Sequence, residues 1–125
     1  MLRKRVALVR GDEIVEGTIA ENVRLARTDI SLAEVRQALD QVGLTEAMLE
    51  LPDGLETRLS FGGRPLSSSQ RTRLVLARAI VARPRLLLLD ETLEGLDLET
   101  VAELQRSLFD RDNPWTLVLV TRDPD

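Results

Sequence analysis

Residues 65–97 read PLSSSQRTRLVLARAIVARPRLLLLDETLEGLD, and this stretch decides the fold. It has three pieces in a fixed order. A helix is predicted from Ser67 to about Ala82, where a proline two residues later forbids its continuation. The all-apolar run Leu86–Leu89 follows and ends in the acidic pair Asp90–Glu91. A helix N-terminus followed by a buried strand with two carboxylates at its tip is an arrangement that suits phosphate and magnesium.

The start of the predicted helix is one candidate binding site. Ser67 is a good N-cap, and the residues from Ser67 to Gln70 present free amide donors at the positive end of the helix dipole. An anion can bind at such a position. An ordinary capped helix without a ligand is the plainer interpretation of the same residues, and the pattern alone favours it.

The leucine run is the second candidate feature. A strand without polar alternation belongs in the middle of a parallel sheet, covered by helices on both faces. Asp90 and Glu91 then lie at its carboxyl end, where ligands bind in open α/β sheets. There Asp90 can hold magnesium, directly or through water, and Glu91 can polarise an attacking water. The alternative is that the pair merely caps the following helix.

A second strand follows the leucine run after one helix. Asp97 is predicted to cap a helix over about Leu98–Phe109, and Trp115–Val120 is predicted to be a buried strand. A strand, a helix and a strand with a crossover of this length form a right-handed βαβ unit. That unit places the acidic pair and Arg122 at the same edge of the sheet.

The chain before residue 65 is predicted to supply packing elements. Gly62–Gly63 is interpreted as a plain turn in preference to a phosphate nest, because no Lys or Ser/Thr follows at the required spacing. The other predictions are a strand over Arg5–Val9, a short helix capped by Thr18, a helix from Ser31 with Leu32, Val35, Leu39 and Val42 on one face and Gly43 at its end, a helix over about Thr45–Leu51, and a loop over Glu56–Pro65.

Composition excludes several classes of protein. The 125 residues are 43% hydrophobic and 30% charged, as in a soluble globular protein, and their formal net charge of −4 argues against a nucleic-acid partner. Cysteine and histidine are absent, which excludes disulfides, thiolate metal sites and histidine base catalysis. No apolar run approaches the roughly 18 residues of a membrane span, and the N-terminal residues do not predict a signal peptide. The default compartment is therefore the cytoplasm.

These motifs resemble the nucleotide-binding domain of ATP-binding cassette (ABC) transporters. Leu66-Ser67-Ser68-Ser69-Gln70 looks like the signature Leu-Ser-Gly-Gly-Gln, and residues 86–91 look like the Walker B strand with its catalytic glutamate. Gly95-Leu96-Asp97 is similar to the D-loop, and Leu117–Arg122 to the strand that leads into the switch loop. Gly17–Val23 looks like the Gly-Thr-Ile-x-Glu-Asn segment of exporter-type members.

The resemblance implies an α/β fold: part of a P-loop NTPase-like parallel sheet, its Walker B half, plus the ABC α-helical subdomain. Residues 1–17 would be a strand and a Q-loop-like region of the catalytic core. Residues 18–82 would be the helical subdomain with the signature motif. Residues 83–125 would carry the Walker B, D-loop and switch-loop part of the core.

The resemblance also implies a mechanism, with ATP and Mg²⁺ as cofactors. Two such domains, identical or different, would stack head to tail around two ATP molecules. Asp90 would hold the metal, with Glu91 and Arg122 in catalytic positions. Leu66, Ser67, Ser68, Ser69, Gln70 and Asp97 would contact nucleotide. Closure would drive the transmembrane domain of an exporter at the cytoplasmic face of the cell membrane.

Four departures from the family pattern accompany this resemblance. No P-loop sequence Gly-x-x-Gly-x-Gly-Lys-Ser/Thr occurs, so the chain is expected to be truncated upstream of Met1. Ser68 and Ser69 replace the two signature glycines, which let the backbone approach a ligand closely. Arg122 replaces the switch histidine, and the Q-loop glutamine is missing near Arg10. These changes suggest an asymmetric or slow site.

The leading interpretation is therefore part of an ABC exporter ATPase that is inactive as an isolated chain. The alternative is a non-catalytic dimerisation or regulatory module with a degenerate ATP site, although an intact Asp90–Glu91 pair does not favour it. An ABC-type ATPase of DNA maintenance is a third reading, disfavoured by the Gly17–Val23 segment and the acidic balance. In this family the strand ending at Val120 lies beside the P-loop strand, so an exposed apolar edge is expected there.

Overall fold

The architecture was analysed in a computed structural model, which describes residues 6–10, 14–25, 29–90, 93 and 95–120. Helices and short strands alternate along the chain. The elements are β1 (Val6–Arg10), β2 (Gly17–Thr18), α1 (Ile19–Arg24), α2 (Leu32–Gln41), α3 (Thr45–Glu50), a 3₁₀ turn (Gly54–Glu56), β3 (Arg58–Leu59), α4 (Ser68–Ile80), β4 (Leu86–Asp90), α5 (Leu98–Leu108) and β5 (Thr116–Val120).

The main sheet has three parallel strands in the order β1-β4-β5. The leucine strand β4 is central, as its unbroken apolar run predicts. Asp90 lies opposite Arg10 on one side and opposite Val120 on the other. The connection from β4 through α5 to β5 is the parallel crossover that the sequence predicts. The carboxyl end of β4 therefore shares one edge of the sheet with the ends of both neighbours.

The two faces of β4 are covered unequally. Leu87 and Leu89 are buried, whereas Leu86 and Leu88 are only half-buried. The prediction that both faces are fully covered is therefore wrong for this chain. The physical reason is that Leu87 and Leu89 lie on the same face of the sheet as Val9 of β1, and α4 packs against β1. The described helices cover the opposite face less completely.

A helical region precedes β4. Helix α4 packs against α1, α2 and β1, so it joins the small helices to the sheet. On α2 the predicted inward face is confirmed for Val35, Leu39 and Val42, but Leu32 is 39% exposed. Leu32 is the first helical residue, so it lies beyond the end of the buried stripe. Gly43 adopts a φ of +78° just after α2, a conformation that suits glycine at a helix end.

One predicted loop contains a strand. Residues 56–65 were expected to form a loop, yet Arg58 and Leu59 form β3, which pairs antiparallel with β2. A strand of two residues is too short to show a period of two in the sequence. Gly63 donates its amide to the carbonyl of Ser60, as expected of the plain turn predicted there.

The core is almost entirely aliphatic and runs continuously from the sheet into the helical region. Trp115 is its one aromatic member among the described residues. The indole Nε1 of Trp115 donates to the carbonyl of Leu108, the last residue of α5 (2.9 Å). Strand β5 therefore begins at Thr116, one residue later than predicted. In the part of the chain that the structure describes, no helix has the length and apolarity needed to cross a bilayer.

Candidate functional site

The start of α4 is a reciprocal cap. The Ser67 hydroxyl accepts the Gln70 amide (3.2 Å), and the Gln70 side chain accepts the Ser67 amide (2.8 Å). The predicted N-cap is therefore confirmed, and it is a full capping box. Two of the four residues predicted to offer amides have thus used them within the helix. Ser68 and Ser69 are the first-turn residues whose amides point out of the helix end.

The side chains around this helix end differ in their exposure. Ser67 and Ser68 are exposed and Ser69 is half-buried, so these three side chains lie at the surface, at least in part. Leu66 is buried in the core, and its carbonyl accepts a hydrogen bond from Arg71 Nη1 (3.0 Å). Its side chain therefore anchors the segment, and the exposed serines form the surface that a ligand can meet.

The carboxyl end of β4 is the second part of the candidate site. Asp90 is the last residue of the strand, at the sheet edge where the sequence places it. Glu91 and Arg122, the two residues predicted to be catalytic, lie outside the described residues. The backbone thus places Asp90 beside the ends of β1 and β5. The catalytic roles of Glu91 and Arg122 stay predictions.

Asp97 begins α5 as its N-cap, as predicted. One carboxylate oxygen accepts the Thr100 amide (3.2 Å), and the other accepts the Thr100 hydroxyl (2.6 Å). Both hydrogen bonds favour the charged carboxylate, so the Thr100 side chain first, then its backbone, and more weakly Arg73, lower the pKa of Asp97 below its usual value. The side chain is exposed and ionised, although its oxygens are already engaged by the helix.

Arg73 brings the two helix starts together. It lies one turn after Gln70 on α4, and its Nη2 donates to the Thr100 hydroxyl on α5 (3.3 Å). Sequence reasoning missed this contact, because a partially exposed arginine on a helix gives no local sign of its partner. Through this contact Arg73 links α4, which begins within the signature-like segment, to the start of α5, which Asp97 caps.

A buried asparagine organises the other side of α4. Asn22 is fully buried; its amide donates to the carbonyls of Val15 (2.9 Å) and Thr18 (3.0 Å), and its Oδ1 accepts the Val15 amide (2.9 Å). Arg78 of α4 donates to the Asn22 carbonyl and side chain. The sequence carries no clear sign of this burial, because Asn22 lies in a short segment that also contains the charged residues Glu21 and Arg24.

Comparison with known proteins identifies the family. The sequence profile described as "ABC transporter" matches residues 1–94. The chain belongs to the ABC transporter family. The profile match includes the Gly17–Val23 segment, the signature-like segment and the Walker B-like strand β4, and it ends just before the D-loop-like residues 95–97.

Relatives of this ABC transporter chain are similar over most of its length. A glutathione/L-cysteine transport system ATP-binding/permease protein of Bacillus subtilis is 40% identical over 97 residues, covering 78% of this chain and 17% of that protein. An ATP-dependent lipid A-core flippase of Ralstonia nicotianae is 39% identical over 111 residues, covering 86% of this chain and 19% of that protein. The chain thus spans about a fifth of the length of these relatives.

A solved ABC transporter structure has the same fold. A bacterial Atm1-family ABC exporter with ATP bound matches with a TM-score of 0.85 and 27% identity, over 95% of this chain and 21% of that one. The predicted fold class is therefore confirmed: an α/β ABC ATPase fragment with the Walker B half of the sheet and the helical region.

Proposed function

We propose that this chain is the part of an ABC exporter's ATPase domain that carries the signature, Walker B and D-loop motifs, and that it couples ATP binding and hydrolysis to transmembrane transport. The observation that carries the proposal is the 0.85 TM-score match, over 95% of the chain, to an ABC exporter solved with ATP bound. Residues 1–17 and 83–125 then belong to the catalytic core, and residues 18–82 form the helical subdomain.

The start of α4 acts as the signature end in this proposal. The amides of the exposed Ser68 and the half-buried Ser69 point out of a capped helix, at the positive end of its dipole, toward a phosphate bound by the opposing domain. The capping box at Ser67 and Gln70 keeps this end rigid. The two serine side chains add hydroxyl donors, but they also hold the backbone further from a ligand than glycine does.

The carboxyl end of β4 serves the chain's own nucleotide. Asp90 supplies a hard oxygen ligand at a sheet edge, which is a fitting donor for Mg²⁺ shared with phosphates and water. The ion, when bound, supplies positive charge that offsets the charge developing on the transferred phosphoryl group. Glu91 orients and polarises the attacking water, and Arg122 contacts the phosphates in the place of the family's histidine.

The proposal requires two partners. One is a second ABC ATPase domain, identical or different, whose P-loop supplies the phosphate-binding lysine and amides opposite α4. The other is a transmembrane domain; relatives named as an ATP-binding/permease protein and as a flippase support this pairing. The working location is then the cytoplasmic face of the cell membrane.

The 125 residues by themselves should not turn over ATP. They contain no Gly-x-x-Gly-x-Gly-Lys-Ser/Thr sequence, and that loop supplies most of the phosphate contacts in the family. We expect the isolated chain to show no Mg-ATPase activity above background in a phosphate-release assay. A measured rate that disappears in Glu91→Gln would overturn this expectation.

The test of the whole proposal uses the protein that carries this chain, captured from its source cells with an antibody raised against the chain. We expect it to hydrolyse Mg-ATP and to lose at least about 10²-fold of that rate in Glu91→Gln, because a positioned general base contributes about that much. ATP binding, measured with a fluorescent analogue, should persist in the variant, since Glu91 acts on water and not on the nucleotide.

The matched control is Glu46→Gln, which removes one carboxylate from the exposed face of α3 and should leave turnover unchanged. The exporter proposal fails if the captured protein neither binds nor hydrolyses ATP, or if Glu46→Gln and Glu91→Gln act alike.

A second candidate function is a non-catalytic dimerisation or regulatory module. Serines at both signature glycine positions and arginine at the switch position favour it, because each weakens the usual phosphate geometry. It predicts that the chain occurs in cells as a product of about these 125 residues, and that it alters the ATPase rate of a separate P-loop-containing domain without contributing turnover of its own.

A further inference from the structure

Arg73 holds three separate parts of the chain. Its Nη1 donates to the carbonyls of Val42 (3.0 Å) and Gly43 (3.2 Å) at the end of α2. Its Nη2 donates to the Thr100 hydroxyl and lies 3.6 Å from a Glu103 carboxylate oxygen, both on α5. A planar guanidinium with donors in a fixed fork can make these contacts at once.

The Thr100 hydroxyl is the middle of a directed relay. It accepts from Arg73 and donates to Asp97 Oδ1 at 2.6 Å. A hydroxyl has a single proton, so a donor on one side directs that proton to the acceptor on the other. Thr100 is buried, whereas Asp97 is exposed, so both hydrogen bonds are partly shielded from water. The order of donors is therefore Arg73, then Thr100, then Asp97 as the final acceptor.

Gly43 makes room for this arrangement. A Cβ placed on Gly43 would lie 2.4 Å from Arg73 Nη1 and 3.6 Å from Cζ. No other residue type fits at this position while Arg73 remains on the two carbonyls. The glycine thus ends α2, and it also admits the guanidinium.

We propose that Arg73 is a positioning residue that orients the Thr100 hydroxyl toward Asp97 and so fixes the start of α5 relative to the start of α4 and the end of α2. The segment with the signature-like sequence and the D-loop-like Asp97 then move as one body, since Arg73 lies one helical turn after Gln70. That this joint motion matters for transport rests on the proposed function, whereas the contacts of Arg73 form without nucleotide.

The first test compares Arg73→Met and Arg73→Lys in the full chain without nucleotide. The Thr100 amide, which donates to Asp97 Oδ2, should exchange with deuterium about fivefold faster in both, as for a weakened helix cap. The pKa of Asp97, followed by carboxyl ¹³C NMR, should move up toward its ordinary value of 3.8. Lysine should not rescue, because one ammonium cannot span two carbonyls and a hydroxyl.

A double-mutant cycle tests the route through Thr100. In a Thr100→Val background the Asp97 carboxylate has lost its hydroxyl donor, so Arg73→Met should leave most of the remaining pKa shift of Asp97 unchanged. Equal effects of Arg73→Met with and without Thr100 would overturn the relay. If Arg73 acted only on folding, Arg73→Met would lower the free energy of unfolding equally with Thr100 and with Val at position 100.

Gly43→Ala displaces the guanidinium without removing its charge. It should reproduce the faster exchange of the Thr100 amide. The matched control is Gly62→Ala, also at positive φ (+93°) but with nothing within 4 Å of the added Cβ; it should leave that exchange unchanged. The proposal is wrong if both alanine variants affect the Thr100 amide equally, or if neither does.

These readouts separate the two proposals. All are made without ATP, so loss of the exporter function in Glu91→Gln has no bearing on them. Conversely, an unchanged Asp97 and Thr100 in Arg73→Met would overturn the positioning role and leave the ATPase proposal intact.

Discussion

At the scale of single residues, the sequence predicts the helix caps well. Thr18, Ser31, Ser67 and Asp97 all cap the helices that follow them, and the first three form full capping boxes. These contacts join residues three apart, so the pattern is visible in one short window. The candidate residues in the signature-like segment, and Asp97, thus lie where the sequence places them, although their ligand contacts stay a prediction.

Contacts between distant residues could not be predicted in this way. Arg73 reaches Val42 and Thr100, which are 31 and 27 positions away, and Arg78 reaches Asn22 across 56 positions. Nothing in a local window states which carbonyl or hydroxyl an arginine will find. The link between α4 and Asp97 is therefore a product of the tertiary fold.

The lowered pKa of Asp97 predicts an acid-dependent contribution to stability. Its folded pKa lies below the ordinary value of 3.8, so the charged cap stabilises the fold fully above that value and loses its effect as the pH falls through the lowered one. Asp97→Asn keeps a cap without a charge. We expect the stability difference between wild type and Asp97→Asn to be constant from pH 7 to about 5 and to shrink below about 4.

Urea denaturation between pH 7 and pH 2 measures this difference. The control is Asp53→Asn, which alters an exposed carboxylate that makes no capping hydrogen bond. If the Asp97→Asn difference persists unchanged at pH 2, the cap does not depend on the charge.

At the scale of elements, the long helices and the three sheet strands follow from the sequence, whereas the two-residue strands do not. Periodicity and helix stops locate α2, α4, α5 and the leucine strand to within a residue or two. The pairing of β2 with β3 depends on where the helices place them. Element boundaries that depend on tertiary contacts, such as the start of β5 next to Trp115, cannot be predicted from a short window of sequence.

Asn22 is predicted to hold α1, the segment before it and α4 together. Asn22→Ala removes the partners of the Val15 amide and carbonyl, and it removes one of the acceptors of the half-buried Arg78. We expect the free energy of unfolding to fall by about 3 kcal/mol, since several polar groups lose their partners together. Chemical denaturation measures the loss, with the exposed Gln37→Ala as the control.

A cost below about 0.5 kcal/mol for Asn22→Ala, the range usual for surface changes, would show that water replaces these contacts and that Asn22 does not hold the elements together.

At the scale of the whole molecule, both outer strands of the main sheet have a free edge within the described ranges, where β1 and β5 each pair only with β4. The Thr116 amide donates inward to Arg85, so with a period of two the Val118 amide also points inward and the Leu117 and Leu119 amides point outward. An apolar strand with unpaired outward amides is a template for another strand.

We predict that the chain self-associates through this edge as its concentration rises, as measured by sedimentation velocity. Leu119→Pro removes an outward amide and should reduce association, whereas Val118→Pro removes an inward one and should destabilise the fold. A chain that stays monomeric at high concentration, or equal behaviour of the two proline variants, would count against pairing at β5.

The end of α2 has a consequence for the order of assembly. The carbonyls of Ala38, Leu39 and Asp40 accept from backbone amides of residues 42–44, so they are satisfied locally. The Gln41 carbonyl accepts from the Ser107 hydroxyl across 66 positions, and the Val42 and Gly43 carbonyls just after the helix accept from Arg73 across 31 and 30 positions. A helix end needs such partners once it is buried. During synthesis on the ribosome, the turns of α2 therefore close from nearby residues, but the contacts of the Gln41, Val42 and Gly43 carbonyls form only after α4 and α5 have emerged, so the helical region reaches its final form only after most of the chain has been made.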